Sequence, residues 1–248
     1  MTAPTGAAVA GGSSSGAGHI DNTERFTDHL WRETAALRAS IDDMEFLRRL
    51  GDGTLPLDVF RTYMEQDLLY LTGYAKALAL VAATSPDPVA SGFWAGAAAS
   101  ATSVEASLHQ DLLGSDALPP AATEPEHSRA CLGYVSYLIA TAATESYAVA
   151  AAAVLPCFWI YADVGRRLAA EAEQVLARDP RHPYARWVTT YDDPAFHDAV
   201  STARSLVDDA AAVATDAERA AMTAAFTTAS RYEFLFWDTA LHPQPWPA

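Results

Sequence analysis

Apolar and polar positions along the 248-residue chain recur at helical spacing, and no stretch alternates as a half-buried strand does. Phe26, Leu30, Ala36 and Leu37 form one apolar stripe of a first predicted helix. It opens at Asp21-Asn22-Thr23-Glu24, a run with capping chemistry, and reaches about Ser40. A short helix from Asp43 to Leu50 stops at the turn signal Gly51-Asp52-Gly53. Pro56 opens a long helix that ends near Ser85-Pro86, and Asp87-Pro88 starts another that carries Glu105 and His109 to about Leu113. A Pro- and Glu-bearing loop then leads into an Ala-rich, almost uncharged stretch from Tyr134 to Asp163. Within it Pro156 is expected to stand at the first position of a new helix, which has no N–H to satisfy there, so that Cys157 falls in the first turn. That helix runs to about Ala177 and breaks at Asp179-Pro180-Arg181-His182-Pro183. A short helix from Tyr184 to Tyr191 and two longer ones, Pro194 to Val213 and Asp216 to Leu241, complete the pattern.

The class predicted is all-α, one bundle-like domain over residues 21–248 with roughly eight or more helices. Residues 1–20, rich in Gly, Ser and Ala and without periodicity, are expected to be a disordered tail with no secretory signal.

Composition narrows the function. A hydrophobic content of 50% supports a sizeable core, while 16 Lys+Arg against 31 Asp+Glu give a net charge of −15. That balance argues against nucleic acid and anionic membrane surfaces as partners. Two cysteines, Cys131 and Cys157, make no disulfide framework and point to a reducing, cytoplasmic setting. The most apolar window, Leu138 to Phe158, approaches membrane length, but Glu145 interrupts it and Ala dominates it, so a buried helix pair is expected.

Several residues do not suit a plain core. Cys157 reads either as a small buried hydrophobe or as a thiol activated by a helix N-terminus. Asp67, with Tyr70 and Tyr74 on the same helix face, and Glu233, followed by aromatic residues, are carboxylates in apolar text. Each is costly to bury unless paired or hydrogen-bonded, and an internal salt bridge is the competing reading; Glu145 is read as a pairing or capping residue. Tyr70, Tyr74, Tyr134, Tyr137, Tyr161 and Tyr191 read singly as core residues, or together as a flat slot for a heteroaromatic ring. Glu105 and His109, four apart, suit a carboxylate-oriented histidine better than a metal site.

Five stretches in order resemble one known family. They are Leu50 to Pro56, Tyr63 to Tyr70 with Gln66-Asp67, Leu155-Pro156-Cys157-Phe158-Trp159, Trp187 to Tyr191, and Ser230-Arg231-Tyr232-Glu233 with Phe236-Trp237-Asp238. The chain, from about Phe26 to Leu241, resembles the TenA family of thiaminase II, the aminopyrimidine aminohydrolases, whose fold is haem-oxygenase-like. The resemblance implies a cysteine nucleophile at Cys157, a catalytic glutamate at Glu233 and a pyrimidine-binding aspartate at Asp67. It implies ring-lining tyrosines at Tyr70, Tyr134, Tyr161 and Tyr191, and a homotetramer. Met44-Glu45-Phe46 departs from the His-Pro-Phe of many members, and Glu171 to Asp179 is longer.

The expected reaction is hydrolysis of 4-amino-5-aminomethyl-2-methylpyrimidine, with cleavage of thiamin at the same site, needing no metal or organic cofactor. The alternatives are a TenA-like enzyme for another aminopyrimidine, such as a formylated one, a non-catalytic pyrimidine-binding protein, and a metal- or haem-dependent oxygenase.

Overall fold

The computed structural model of the protein describes residues 24–113, 118–120, 124–179, 184, 187–188 and 191–247, the side chains of 103–113 excepted. Nine α-helices and no strand occur among these residues: α1 (Phe26–Glu33), α2 (Ala35–Asp42), α3 (Glu45–Gly51), α4 (Leu57–Thr84), α5 (Pro88–Leu113), α6 (Arg129–Thr144), α7 (Tyr147–Arg178), α8 (Pro194–Val213) and α9 (Asp216–Leu241). The predicted tail of residues 1–20 and the capping run at 21–23 lie outside the described residues, as do the side chains of Glu105 and His109.

The helix signals act mostly where the pattern puts them. Asp87 accepts from the N–H groups of Val89 and Ala90 to start α5. Asp193 and Thr215 cap α8 and α9 in the same way. Gly53 takes φ 77°, and the Thr54 N–H bonds back to the Arg49 carbonyl at 2.9 Å, closing the end of α3 with a left-handed residue.

Two boundaries differ from the reading of the sequence. The first predicted helix is broken at Thr34, whose hydroxyl donates to the Leu30 carbonyl at 3.0 Å and competes with the backbone pattern. More consequentially, Pro156 does not start a helix. The chain stops at Glu145, the C-cap of α6, and restarts at Ser146, whose hydroxyl accepts from the Val149 N–H at 3.5 Å. Pro156 therefore lies deep inside the 32-residue α7, and Cys157 with it. An interior proline costs about 3 kcal/mol. Near-complete burial of Ala150 to Pro156 inside the bundle offsets that cost.

The core is built on α4, α6, α7 and α9. Phe60, Tyr63, Met64, Asp67, Tyr70, Tyr74, Leu78 and Val81 give α4 a buried stripe at three- and four-residue spacing. α5 packs along α4, and α8 along α7. α7 is apolar and long enough to cross a membrane, but 89% of its most apolar window is buried within the bundle, as a central core helix requires. On its other face, Trp159 stacks on Trp31 of α1 at 4.1 Å, with Arg38 over Trp31 and Arg204 over Trp159 at 3.7 and 3.9 Å. This four-layer stack ties α1, α2 and α8 to α7.

Candidate active site

A cavity of about 920 Å³ lies where α4, α5, α7 and α8 meet. Asp67, Tyr70 and Tyr74 enter it from one face of α4, and Cys157 and Tyr161, four apart, enter it from α7. Tyr191 closes the side nearest α8. Five of the seven residues implied by the resemblance thus share one cavity: Asp67, Tyr70, Cys157, Tyr161 and Tyr191.

The other two stand behind that wall. Tyr134 of α6 and Glu233 of α9 are 1% exposed and do not line the cavity. The Tyr134 hydroxyl donates to Glu233 Oε1 at 2.6 Å, and the Tyr134 ring lies 5.0 Å from that of Tyr70. Burial pushes the Glu233 carboxyl up to about 8; the bond from Tyr134 lowers it, and the charge of Asp67 adds to the rise. Glu233 is therefore a carboxyl that holds a proton at neutral pH, next to a second acid.

The tyrosines are neutral donors. Burial, the largest cause in every case, raises the hydroxyls of Tyr63, Tyr70, Tyr74, Tyr134 and Tyr161 well above the ordinary value. Tyr161 meets the Tyr63 hydroxyl at 3.1 Å, and Tyr74 donates to the Val154 carbonyl at 2.8 Å, one turn before Cys157. The Tyr70 hydroxyl, 2% exposed as a residue, has no hydrogen-bond partner among the described residues. A buried donor without a partner is costly, and one on a cavity wall is available to a ligand.

Cys157 is half-buried and Cys131 fully buried. Burial pushes the Cys131 thiol up to about 12, and its Sγ donates to the Gln66 carbonyl at 3.5 Å, which makes it a packing residue. Because Cys157 sits inside α7, the expected activation by a helix N-terminus does not apply. Its surroundings are tyrosine hydroxyls, with Tyr74 as a side-chain hydrogen-bond neighbour.

Three features of the site were not singled out from the pattern. Tyr63, four residues before Asp67 on the same face of α4, holds the Tyr161 hydroxyl at 3.1 Å, a contact across 98 positions of sequence. Phe93, Phe158 and Phe196 form an aromatic shelf beside Cys157, with Phe158 6.3 Å from Phe93 and 6.4 Å from Phe196. Gly165 lets the chain at Tyr191 approach α7 closely, since a Cβ there would lie 2.7 Å from the Tyr191 carbonyl carbon.

Comparison with known proteins identifies the family and the fold. The TENA/THI-4/PQQC family matches residues 38–242. The chain is 35% identical over 215 residues to the thiamine biosynthesis multifunctional protein ThiED of Corynebacterium efficiens, covering 87% of this chain and 28% of that protein. The chain thus spans about a quarter of the length of this multifunctional relative. It is 34% identical over 205 residues to the aminopyrimidine aminohydrolase of Bacillus subtilis, covering 81% of this chain and 83% of the relative. Among solved structures, a TenA homologue from P. horikoshii OT3 superposes with a TM-score of 0.78 at 25% identity, covering 88% of this chain and 99% of that one. A Shewanella denitrificans domain of heme oxygenase-like fold matches at 0.69 and 13% identity, over 87% of this chain and 92% of that one, which extends the likeness in fold alone. With the family model matching residues 38–242 and the fold shared with solved structures, the chain is a haem-oxygenase-like helical bundle and belongs to the TENA/THI-4/PQQC family.

Proposed function

We propose that the protein is an aminopyrimidine aminohydrolase of the thiaminase II type. It hydrolyses 4-amino-5-aminomethyl-2-methylpyrimidine to the hydroxymethyl pyrimidine and ammonia in thiamine metabolism. The observation that carries this reading is the meeting of Asp67, Tyr70, Cys157, Tyr161 and Tyr191 on one cavity wall, with a proton-bearing Glu233 directly behind. The 34% identity to an aminohydrolase matched over 83% of its length supports the reaction class.

The amine on the exocyclic methylene leaves poorly while the ring is aromatic. The Cys157 thiol adds to a ring carbon as its proton passes to the ring nitrogen held by Asp67; aromaticity is broken, and the ring electrons then expel the amine. Asp67 hydrogen-bonds a ring nitrogen and makes the ring a better electron sink. Glu233 spends one oxygen on Tyr134 and, from behind the cavity wall, is the source of the proton that the departing amine takes up; a proton from the water that adds to the methylene returns to it. Re-aromatisation releases Cys157. The rings of Tyr70, Tyr161 and Tyr191 hold the pyrimidine flat, and Tyr134 acts through Glu233. Thiamin, whose thiazolium leaves without a proton, is cleaved at the same site. The proposed setting is cytoplasmic and the proposed assembly a homotetramer, the latter from the family resemblance.

Ammonia release from 4-amino-5-aminomethyl-2-methylpyrimidine, with thiamin and Cys157→Ala in parallel, tests the proposal. Turnover that disappears in the variant supports both reaction and nucleophile. No turnover, with a thiol inert to alkylation, would favour a binding protein instead.

A further inference from the structure

Tyr161 reaches the cavity with its ring already fixed. The ring is buried, and its centre lies 4.9 Å from those of Tyr191 and Trp237, tilted against both. What this packing leaves undecided is the hydroxyl hydrogen. A phenol both donates and accepts, and its hydrogen turns to suit the groups around it.

Tyr63 meets that hydroxyl from behind the cavity wall. It is buried and does not line the cavity, whereas Tyr161 and Asp67 both do. The Tyr63 and Tyr161 hydroxyls are 3.1 Å apart, and either could donate to the other. Two further groups decide between them. The indole N–H groups of Trp187 and Trp237 face the Tyr63 hydroxyl and favour negative charge on its oxygen, as donors do. Both indoles are fully buried, and neither nitrogen has a partner in ordinary hydrogen-bond geometry among the described residues. An indole nitrogen can only donate, and buried donors are normally satisfied. Two of them turned on one oxygen leave that oxygen to accept, and send its own hydrogen to Tyr161. The Tyr161 oxygen then accepts, and its hydrogen is left for the cavity, where the charge of Asp67 acts on it.

We infer that Tyr63, backed by the indoles of Trp187 and Trp237, is a positioning residue that holds the Tyr161 hydroxyl as a donor into the cavity. The acceptors it serves there are the Asp67 carboxylate and the ring nitrogen of a bound pyrimidine. The inference rests on the aminopyrimidine reading for its ligand. Tyr63 itself touches no substrate and acts through Tyr161.

A double-mutant cycle on ammonia release tests it, with kcat and KM measured for Tyr63→Phe, Tyr161→Phe and the double variant. Tyr161→Phe is expected to lower kcat/KM about tenfold, as loss of one hydrogen bond does. Tyr63→Phe is expected to lower it about fivefold, mostly through KM. Added to Tyr161→Phe, the same change costs less than about twofold more, because the hydroxyl through which it acts is gone. A packing role alone would make the two losses multiply, and multiplied losses, or an unchanged KM in Tyr63→Phe, overturn the inference. Tyr63→4-aminophenylalanine keeps the ring and restores a donor. It is expected to retain at least about half of the wild-type kcat/KM, and a lower value overturns the inference even where Tyr63→Phe fails to fold by circular dichroism. A wild-type protein that releases no ammonia defeats the aminohydrolase reading. The same cycle is then read in Kd for the hydroxymethyl pyrimidine by calorimetry, with the same criteria. A pyrimidine that neither reacts nor binds overturns both.

Discussion

The Tyr134 hydroxyl donates a 2.6 Å hydrogen bond to the Glu233 carboxyl, joining α6 to α9 across 99 positions of sequence. Both residues are fully buried, and the pair lies directly behind Tyr70. The bond counteracts a carboxyl value that burial drives to about 8. Tyr134→Phe removes that counterweight, so the Glu233 value rises further and the alkaline limb of the pH–kcat profile moves to higher pH. Loss of a bond to the proposed catalytic acid is expected to lower kcat roughly tenfold. A pH profile of the variant checks both, and an unmoved alkaline limb would separate Glu233 from the proton-transfer step.

Glu233 also sets a pH dependence of stability. Its folded value, about 8, lies above the ordinary 4.5, so the folded state holds the proton more tightly than the unfolded chain. The contribution is fully present below about 4.5 and is lost as pH rises toward about 8. Glu233→Gln cannot lose a proton. Its Tm is therefore expected to fall less than the wild-type Tm across that window, by several degrees in thermal scans at matched buffer ionic strength. Parallel curves for the two proteins would contradict the assignment.

The two cysteines are expected to separate cleanly in alkylation. Iodoacetamide at neutral pH modifies the half-buried Cys157 on the cavity wall and spares Cys131, which is 0% exposed with a thiol pushed up to about 12. Peptide mass spectrometry reads the sites directly. Preferential labelling of Cys131 would mean that the bundle opens before the cavity is reached.

Gly165→Ala tests the close approach that puts Tyr191 in the cavity. The new methyl group would sit 2.7–2.8 Å from the Tyr191 backbone and Cβ, where a shift is unavoidable. Overpacking of this kind costs about 1–3 kcal/mol. Because the displaced residue lines the cavity, KM is expected to rise several-fold more than kcat falls. Chemical denaturation and steady-state kinetics measure the two effects. A stability loss without any change in KM would mean that Tyr191 does not touch the substrate.

The sequence by itself determined the helices and most of their ends. Asp87, Asp193 and Thr215 cap the helices that their chemistry announces, and Gly53 turns the chain where a left-handed residue is needed. Asp67, Tyr70 and Tyr74 were legible as one face of α4, because helical spacing is a local property. Pro156 was not legible. Its local preference is for a helix start, but burial along α7 outweighed that preference, and the helix began instead at Ser146. The activation of Cys157 expected from the local reading goes with that boundary. Only the tertiary structure decided that α4 and α7 bring Asp67 and Cys157 to one cavity, and that Tyr134 binds Glu233 behind it. Those relations depend on how distant helices pack, and packing is a sum over many weak contacts between residues that no short stretch of sequence contains.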